Sequence, residues 1–314
     1  MGSVSPSFFE IVNYTPPDAI FELTKTYNAD PDARKVASCQ ALSGTGALHI
    51  AGTLLKQALG CDTTVYITKP SWSNHRQVFE SIGFAVREFN YSSDAGVDMQ
   101  SLVQTLEEAA PKSIFVFHAS AHNPSGWDCR LTSGDYDRDA FAIRYFADEL
   151  GLEIAVCLSF AKSMGLYGER VGLCAFSSNT PTIAAAVESS LARMIRAEIS
   201  NPPAFGARIV AAVLEDEEFY AQWRKDLVTM SSRIAEMRWQ LYQGLTKLCT
   251  PGDWKRITEQ KGMFCILGLT PDQVHHLQKE YHIYMAESSR VSIAGLNGTN
   301  VRYVAECINQ TVTR

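Results

Sequence analysis

Four short runs, TTVYIT (63–68), SIFVFH (113–118), LEIAVCLS (152–159) and VGLCAFS (171–177), are rich in β-branched and aromatic residues and are apolar at successive positions rather than alternate ones. A strand that is apolar on both faces has to be covered on both, which is how parallel strands beneath helices read. Between the runs, Ala47, Ile50, Ala51, Leu54, Leu55 and Ala58 recur at helical spacing, and Asp98 stands as an N-cap before MQSLVQTLEEAA. The alternation predicts an α/β fold with one mainly parallel central sheet flanked by helices. From Pro203 onward helix dominates, with EEFYAQWRKDLVTMSSRIAEMRWQLYQGLTKLC (217–249) as one long periodic segment. GMFCILGL, DQVHHLQKEY and a last helix near 301–313 follow, giving a smaller α+β unit.

With 314 residues, 46% of them hydrophobic, the chain is large enough for one big core and a second, smaller one. A net charge of -6, with no Lys/Arg cluster interleaved with aromatics, argues against a nucleic-acid or anionic-membrane surface and leaves small molecules as the expected partners. The cysteines at 39, 61, 129, 157, 174, 249, 265 and 307 lack CxxC spacing and several sit in apolar runs. Reduced core thiols in an intracellular chain are expected. MGSVSPSFFE has neither a basic n-region nor an apolar h-region, so a cytoplasmic location is expected ahead of a mitochondrial one.

Three stretches carry chemistry. ALSGTGALHI sets Ser43, Gly44, Thr45 and Gly46 at a helix start, where unpaired N–H groups favour an anion and small residues let it approach, although a plain Gly-rich helix start reads the same way. FHASAHNPSG ends a buried strand with His118 and His122 before an Asn123-Pro124 turn. The glutamate of a zincin is missing and a strand end does not bring these two histidines onto one face, so no metal site is expected. A turn at the carboxyl end of a strand is instead where α/β proteins place ligand-binding groups. SFAK matches the S-x-x-K of serine acyl-transfer enzymes, but the companion S-D-N and K-T-G motifs do not occur. Lys162 reads by default as a surface lysine, yet it follows a run without charge from Ala155 to Ala161. A partly desolvated lysine suits a nucleophilic amine that forms a Schiff base. Arg170 adds a permanent cation for a phosphate.

Taken together, PPDAIFELTKTYNADPDARKV, ALSGTGALHI, KPSWSNHRQVFESIGF, HASAHNPSGWD, GDYDRDAFAIRYF, SFAKSMGLYGERVG, ISNPPAFGARIV and SSRVSIAGLNGTNVRYV resemble, in order and over nearly the whole chain, the aspartate aminotransferase family of fold-type I, class-I pyridoxal-phosphate enzymes. The resemblance implies pyridoxal 5'-phosphate as cofactor, with Lys162 forming the Schiff base and moving the proton at the substrate Cα. It implies Ser43, Gly44, Thr45, Ser159 and Arg170 around the phosphate, Trp72 stacked on the pyridine ring, Asn123 on the phenolic oxygen and His118 behind the ring. Trp72 and Asn123 would also border the substrate. Arg290 would fork the α-carboxylate and Arg196 would reach a side-chain carboxylate in a homodimer partner. Cis peptides at Lys69-Pro70 and Asn123-Pro124 are implied as well. The domains read as 1–38, an N-terminal arm and part of the small domain; 39–225, the large cofactor-binding domain; and 226–314, the small C-terminal domain.

The family's pattern also includes a strand after the Asn-Pro turn, with an aspartate facing the pyridinium nitrogen and a tyrosine three residues on. Here NPSGWDCRLTSGDYDRDAFAIRYF runs from the turn almost directly into the following helix. A sheet lacking that interior strand is expected to close up or to expose an edge. A second internal deletion falls at DARKVASCQALSG, where the family's substrate loop should intervene. Two functions stay open: an aspartate aminotransferase-like transaminase exchanging amino groups between aspartate or glutamate and 2-oxo acids, and a catalytically impaired homologue that retains a cofactor pocket or dimer surface.

Overall fold

The computed structural model describes residues 7–12, as backbone, and residues 35–60, 62–93, 96–119, 121–127 and 141–314. Two compact units divide the chain, Met1–Ser120 with Ser133–Trp223 and Ala121–Thr132 with Arg224–Arg314.

The first unit runs through β1 (Ser7–Val12), β2 (Val36–Leu42), α1 (Ser43–Leu59), β3 (Thr64–Lys69), α2 (Ser73–Ile82) and β4 (Ala85–Asn90). A minimal pair, β5 (Ser92–Ser93) and β6 (Gly96–Val97), then leads into α3 (Met99–Glu108) and β7 (Ile114–His118). After α4 (Phe141–Arg144) come β8 (Ile154–Ser159), the single turn α5 (Phe160–Ser163), β9 (Val171–Ser177), α6 (Pro181–Glu198) and α7 (Ala204–Glu215). The division between the units falls within α8 (Glu217–Lys247). Seven strands form one sheet in the order β2-β9-β8-β1-β7-β3-β4.

Every residue of β7 and of β8 is buried, as runs without apolar/polar alternation require. Period-2 geometry sorts their side chains between two cores. Ile114, Val116, Ala155 and Cys157 join α1, α2 and α6 on one face through Leu48, Ala51, Phe79 and Leu191. On the other face, Val156 and Leu158 pack with Ile143 and Val210, and Phe115 and Phe117 with Tyr66 and Phe89. The expected N-cap is in place: Asp98 accepts from Ser101 N at 2.9 Å.

Two expectations change. The unbroken apolar run VGLCAFS predicts a parallel strand, but β9 pairs antiparallel with both β8 and β2. Only the four-residue α5 stands between β8 and β9, too short for the helical crossover that a parallel return needs. The second change concerns the amino end, expected to form an arm and part of the small domain. Ser7–Val12 instead lies inside the large sheet, parallel to both neighbours, with Phe8 in register with Phe115 and Ile154 and Ile11 with His118 and Cys157. The sheet therefore neither closes up nor exposes an edge there: β1 occupies the interior place between β7 and β8. β2, which begins at Val36, also belongs to this sheet.

Cys39, Cys174 and Cys157 stand in register across β2, β9 and β8. All three are free thiols, and hydrogen bonding to Cys174 together with burial holds the Cys39 thiol far above its ordinary range. Cys61 and Cys129 lie outside the described residues.

The second unit contains the remainder of α8, the turn α9 (Arg256–Glu259), β10 (Phe264–Ile266), α10 (Pro271–Tyr281), β11 (Arg290–Ser292) and α11 (Val301–Val312). β10 and β11 pair antiparallel. Leu241 and Leu245 of α8, Val274 and Leu277 of α10 and Val304 and Ile308 of α11 form its core. Arg238 is 4% exposed in this unit, and its guanidinium donates to the carbonyls of Ile257 at 2.8 Å, Gly262 at 2.8 Å and Phe264 at 2.6 Å. With Lys261 O at 3.3 Å, four backbone acceptors between the end of α9 and the start of β10 thus answer one buried cation. Among the described residues no helix is long and apolar enough to cross a membrane.

Candidate active site

At the carboxyl end of β8 the chain makes a single helical turn with Ser159 as its N-cap, whose hydroxyl accepts from Ala161 N at 3.2 Å. Lys162 follows in that turn and is half-buried. The Ser159 hydroxyl lies 2.7 Å from that of Ser43, the first residue of α1. Ser43 takes a positive φ of 60°, and its N–H donates to Arg170 O at 3.1 Å. Gly172, two residues on, is pressed against this junction. A Cβ there would stand 2.6 Å from both the carbonyl carbon and oxygen of Ser43 and 2.6 Å from Leu158 O. Glycine is what lets β9 approach the helix start. The first turn of α1 carries no side-chain cap and no acidic residue, so a 17-residue helix presents its unpaired N–H groups at Gly44, Thr45 and Gly46.

Three rings stand beside one another near the carboxyl ends of β3 and β7. Trp72, before α2, meets His75 edge-on, with centroids 5.3 Å apart and planes at 89°. His75 in turn lies 5.0 Å from His118 at the end of β7. Both histidines are buried, at 1% and 7% exposure. Burial and then the Lys162 charge push His118 down to about 3. Burial and then His118 hold His75 well below its ordinary value. Both imidazoles are therefore neutral at physiological pH. His75 went unremarked at the sequence level; its signal is the place three residues after Trp72, one helical turn on in PSWSNH.

In the second unit, Asn123 is 4% exposed and accepts from Arg290 Nη1 at 2.9 Å. The Arg290 guanidinium also lies 4.5 Å above the Phe264 ring. His122, the other half of the sequence-level histidine pair, bonds to Ser125 Oγ at 2.8 Å through Nδ1. Both Lys69-Pro70 and Asn123-Pro124 are cis, as the resemblance implied. Arg196, in the last turn of α6, bonds to Ser200 Oγ. Arg170 is exposed, and its guanidinium donates to Tyr167 O at 3.1 Å. Among the described residues no group of three or more His, Cys, Asp or Glu is disposed to hold a metal ion.

The residues of the first unit fit an aromatic phosphate ester bearing a carbonyl. An uncapped helix start beside two hydroxyls suits the phosphate, a half-buried amine suits the carbonyl, and an indole suits the ring. Beside these, His75 Nε2 is buried without a hydrogen-bond partner among the described residues.

A mainly parallel sheet with one antiparallel strand, a glycine-rich helix start and a lysine one turn past a central strand define the fold-type I class of pyridoxal-phosphate-dependent transferases. Within that class the chain belongs to the aminotransferase class I and II family, whose profile it matches over residues 6–133 and 131–308. It is 41% identical to the cytoplasmic aspartate aminotransferase of Saccharomyces cerevisiae, over 88% of this chain and 74% of that protein. The solved structure of the yeast cytoplasmic enzyme matches with a TM-score of 0.88 and 39% identity, covering 96% of this chain and 82% of that one. The aromatic-amino-acid aminotransferase of Burkholderia pseudomallei, solved covalently bound to pyridoxal phosphate, matches with a TM-score of 0.87 and 35% identity over 95% and 82% of the two chains.

Proposed function

We propose that this chain is an aspartate aminotransferase-like transaminase that uses pyridoxal 5'-phosphate to exchange amino groups between aspartate or glutamate and 2-oxo acids. The observation that carries the reading is the junction at Ser43, Ser159 and Gly172, which sets an uncapped helix start against the strand whose following turn bears Lys162. When bound, the cofactor supplies an aldehyde for the amine and a ring that takes up electrons from the Cα–H bond. Ser43, Gly44, Thr45 and Ser159 hold its phosphate, with Arg170 as the cationic partner, and Trp72 packs on the ring. Lys162 would supply the amine toward the cofactor's aldehyde and would carry the proton at the substrate Cα. His118 is kept neutral behind the ring, so it adds no positive charge beside the lysine.

Arg290 takes the α-carboxylate in a two-pronged hydrogen bond, with its orientation fixed by Asn123 and by the face of Phe264. The Asn123 carbonyl oxygen is the atom engaged by Arg290, which leaves its amide N–H groups as donors. Arg196, exposed on α6, reaches a second carboxylate across a homodimer, in a cytoplasmic enzyme without nucleic-acid or membrane partners.

A visible absorption spectrum of the full chain with added pyridoxal phosphate tests the reading. A visible band that L-aspartate bleaches and that Lys162→Ala abolishes is expected. A band indifferent to aspartate and to the substitution overturns it.

A further inference from the structure

Between Ala221 and Asp226 the surface of α8 is exposed at every position but one. Trp223 is 8% exposed, yet it belongs to none of the hydrophobic cores, neither those on the two faces of the large sheet nor that of the second unit. A core therefore does not account for its burial. What the burial secures is a hydrogen bond: the indole Nε1–H donates to Ser163 O at 2.9 Å, across 60 residues of chain. Ser163 follows Lys162 directly and is the last residue of α5, and both bonded residues lie in the first unit.

A helix of four residues cannot hold itself, because nucleation costs more than its few internal bonds return. α5 is held from outside at three points. At its start the Ser159 hydroxyl accepts from Ala161 N and meets the hydroxyl of Ser43. In its first turn Phe160, 6% exposed, packs with Ile143 and Val210. At its end Met164 N returns to Phe160 O at 3.2 Å and Gly165 N to Lys162 O at 3.4 Å, while the last carbonyl, that of Ser163, is answered by Trp223. Lys162 stands between the second anchor and the third. A lysine side chain has many rotamers, so the reach of its amine depends on the backbone from which it starts.

Resting on the proposed function, we infer that Trp223 is a positioning residue for Lys162: by fixing the carbonyl of Ser163 it holds the α5 turn in the conformation from which the lysine amine meets the cofactor's aldehyde. The amine condenses with the aldehyde, a C=N bond forms and one water leaves, so no oxidant or further reactant is needed. Trp223 acts through the turn and not on the reacting atoms.

The test compares two ligands on the full chain. Pyridoxal phosphate bonds to Lys162, whereas pyridoxamine phosphate lacks the aldehyde and is held by phosphate and ring alone. Trp223→Phe keeps a ring and deletes the donor. It should weaken the binding of pyridoxal phosphate by about tenfold, the contribution of one hydrogen bond, and that of pyridoxamine phosphate by less than about twofold. In a Lys162→Ala background the same substitution should leave both unchanged. The unaltered chain supplies a second measurement that does not depend on the variant folding. Coupling is reciprocal, so the Trp223 indole N–H should exchange with D2O more slowly with pyridoxal phosphate bound than with pyridoxamine phosphate bound. Equal weakening of both ligands, weakening of neither, a loss that survives Lys162→Ala, or an exchange rate that is the same with both overturns the inference and leaves the transaminase reading standing. A parent chain that takes up no pyridoxal phosphate, or whose visible band persists in Lys162→Ala, overturns both.

Discussion

Arg238 and His75 are both deeply buried polar side chains, one in each unit, and their surroundings treat them in opposite ways. Arg238 meets backbone carbonyls at Ile257, Gly262 and Phe264, whereas His75 has one ring nitrogen bonded and the other left without a partner among the described residues. A fully answered buried group fixes a fold, while an unanswered one reduces stability and persists where a ligand completes it.

The largest effect is expected at the answered group. Arg238→Met leaves the carbonyls of Ile257, Lys261, Gly262 and Phe264 without this donor and should destabilise the chain by on the order of 4 kcal/mol, read by urea unfolding. A loss below about 1 kcal/mol would break the comparison, since Arg238 would then be no more structural than His75. Gly172→Ala comes next. A methyl 2.6 Å from the backbone of Ser43 and Leu158 has nowhere to go, so a loss of about 1–3 kcal/mol is expected. Weaker binding of pyridoxal phosphate should accompany it while unphosphorylated pyridoxal is little affected, and equal weakening of the two would remove the helix start from the phosphate's surroundings.

Acid should bear on the first unit through its histidines. His118 is lowered to about 3 from an ordinary 6.5, so the unfolded chain binds a proton between those values that the folded chain refuses. Stability is then complete above about pH 6.5 and falls as the pH drops toward 3, by roughly 1 kcal/mol per lowered histidine between pH 7.5 and 5.5. His118→Asn should flatten part of that slope in unfolding curves at the two pH values; an unchanged slope would mean that His118 takes up its proton in the folded state. The smallest change belongs to His75→Leu, which removes the unpartnered ring nitrogen together with the bond to Ser71 and should leave stability within about 1 kcal/mol of the parent. A much larger loss would place His75 beside Arg238 as a structural group.

Much of this was legible in the sequence because the central strands announce themselves: FVFH and IAVCLS have no polar alternation to confuse with an edge. Asp98 as a cap, the long α8 and the helix start at Ser43 could be read for the same reason, since spacing and capping chemistry are local. β1 and β2 were not legible. VASCQAL is interrupted by Ser38 and Gln40, and nothing local in SFFEIV says that it pairs with strands from the middle of the chain. Register across a sheet is a non-local property. Lys162, Trp72 and Arg290 stand in motifs, whereas the burial of His75 and its single bond to Ser71 are properties of the fold that no local pattern announces. The direction of β9 also escaped, because an apolar run is the same read either way.

The place of β1 bears on how the chain is made. Synthesis delivers Ser7–Val12 first, yet one neighbour in the sheet begins at Ile114 and the other at Ile154, so the strand leaves the ribosome long before either partner exists. Until then it is an apolar segment without a sheet to join, and the centre of the large unit cannot close before β8 has emerged. The arrangement puts a premium on keeping that segment shielded until both its partners are out.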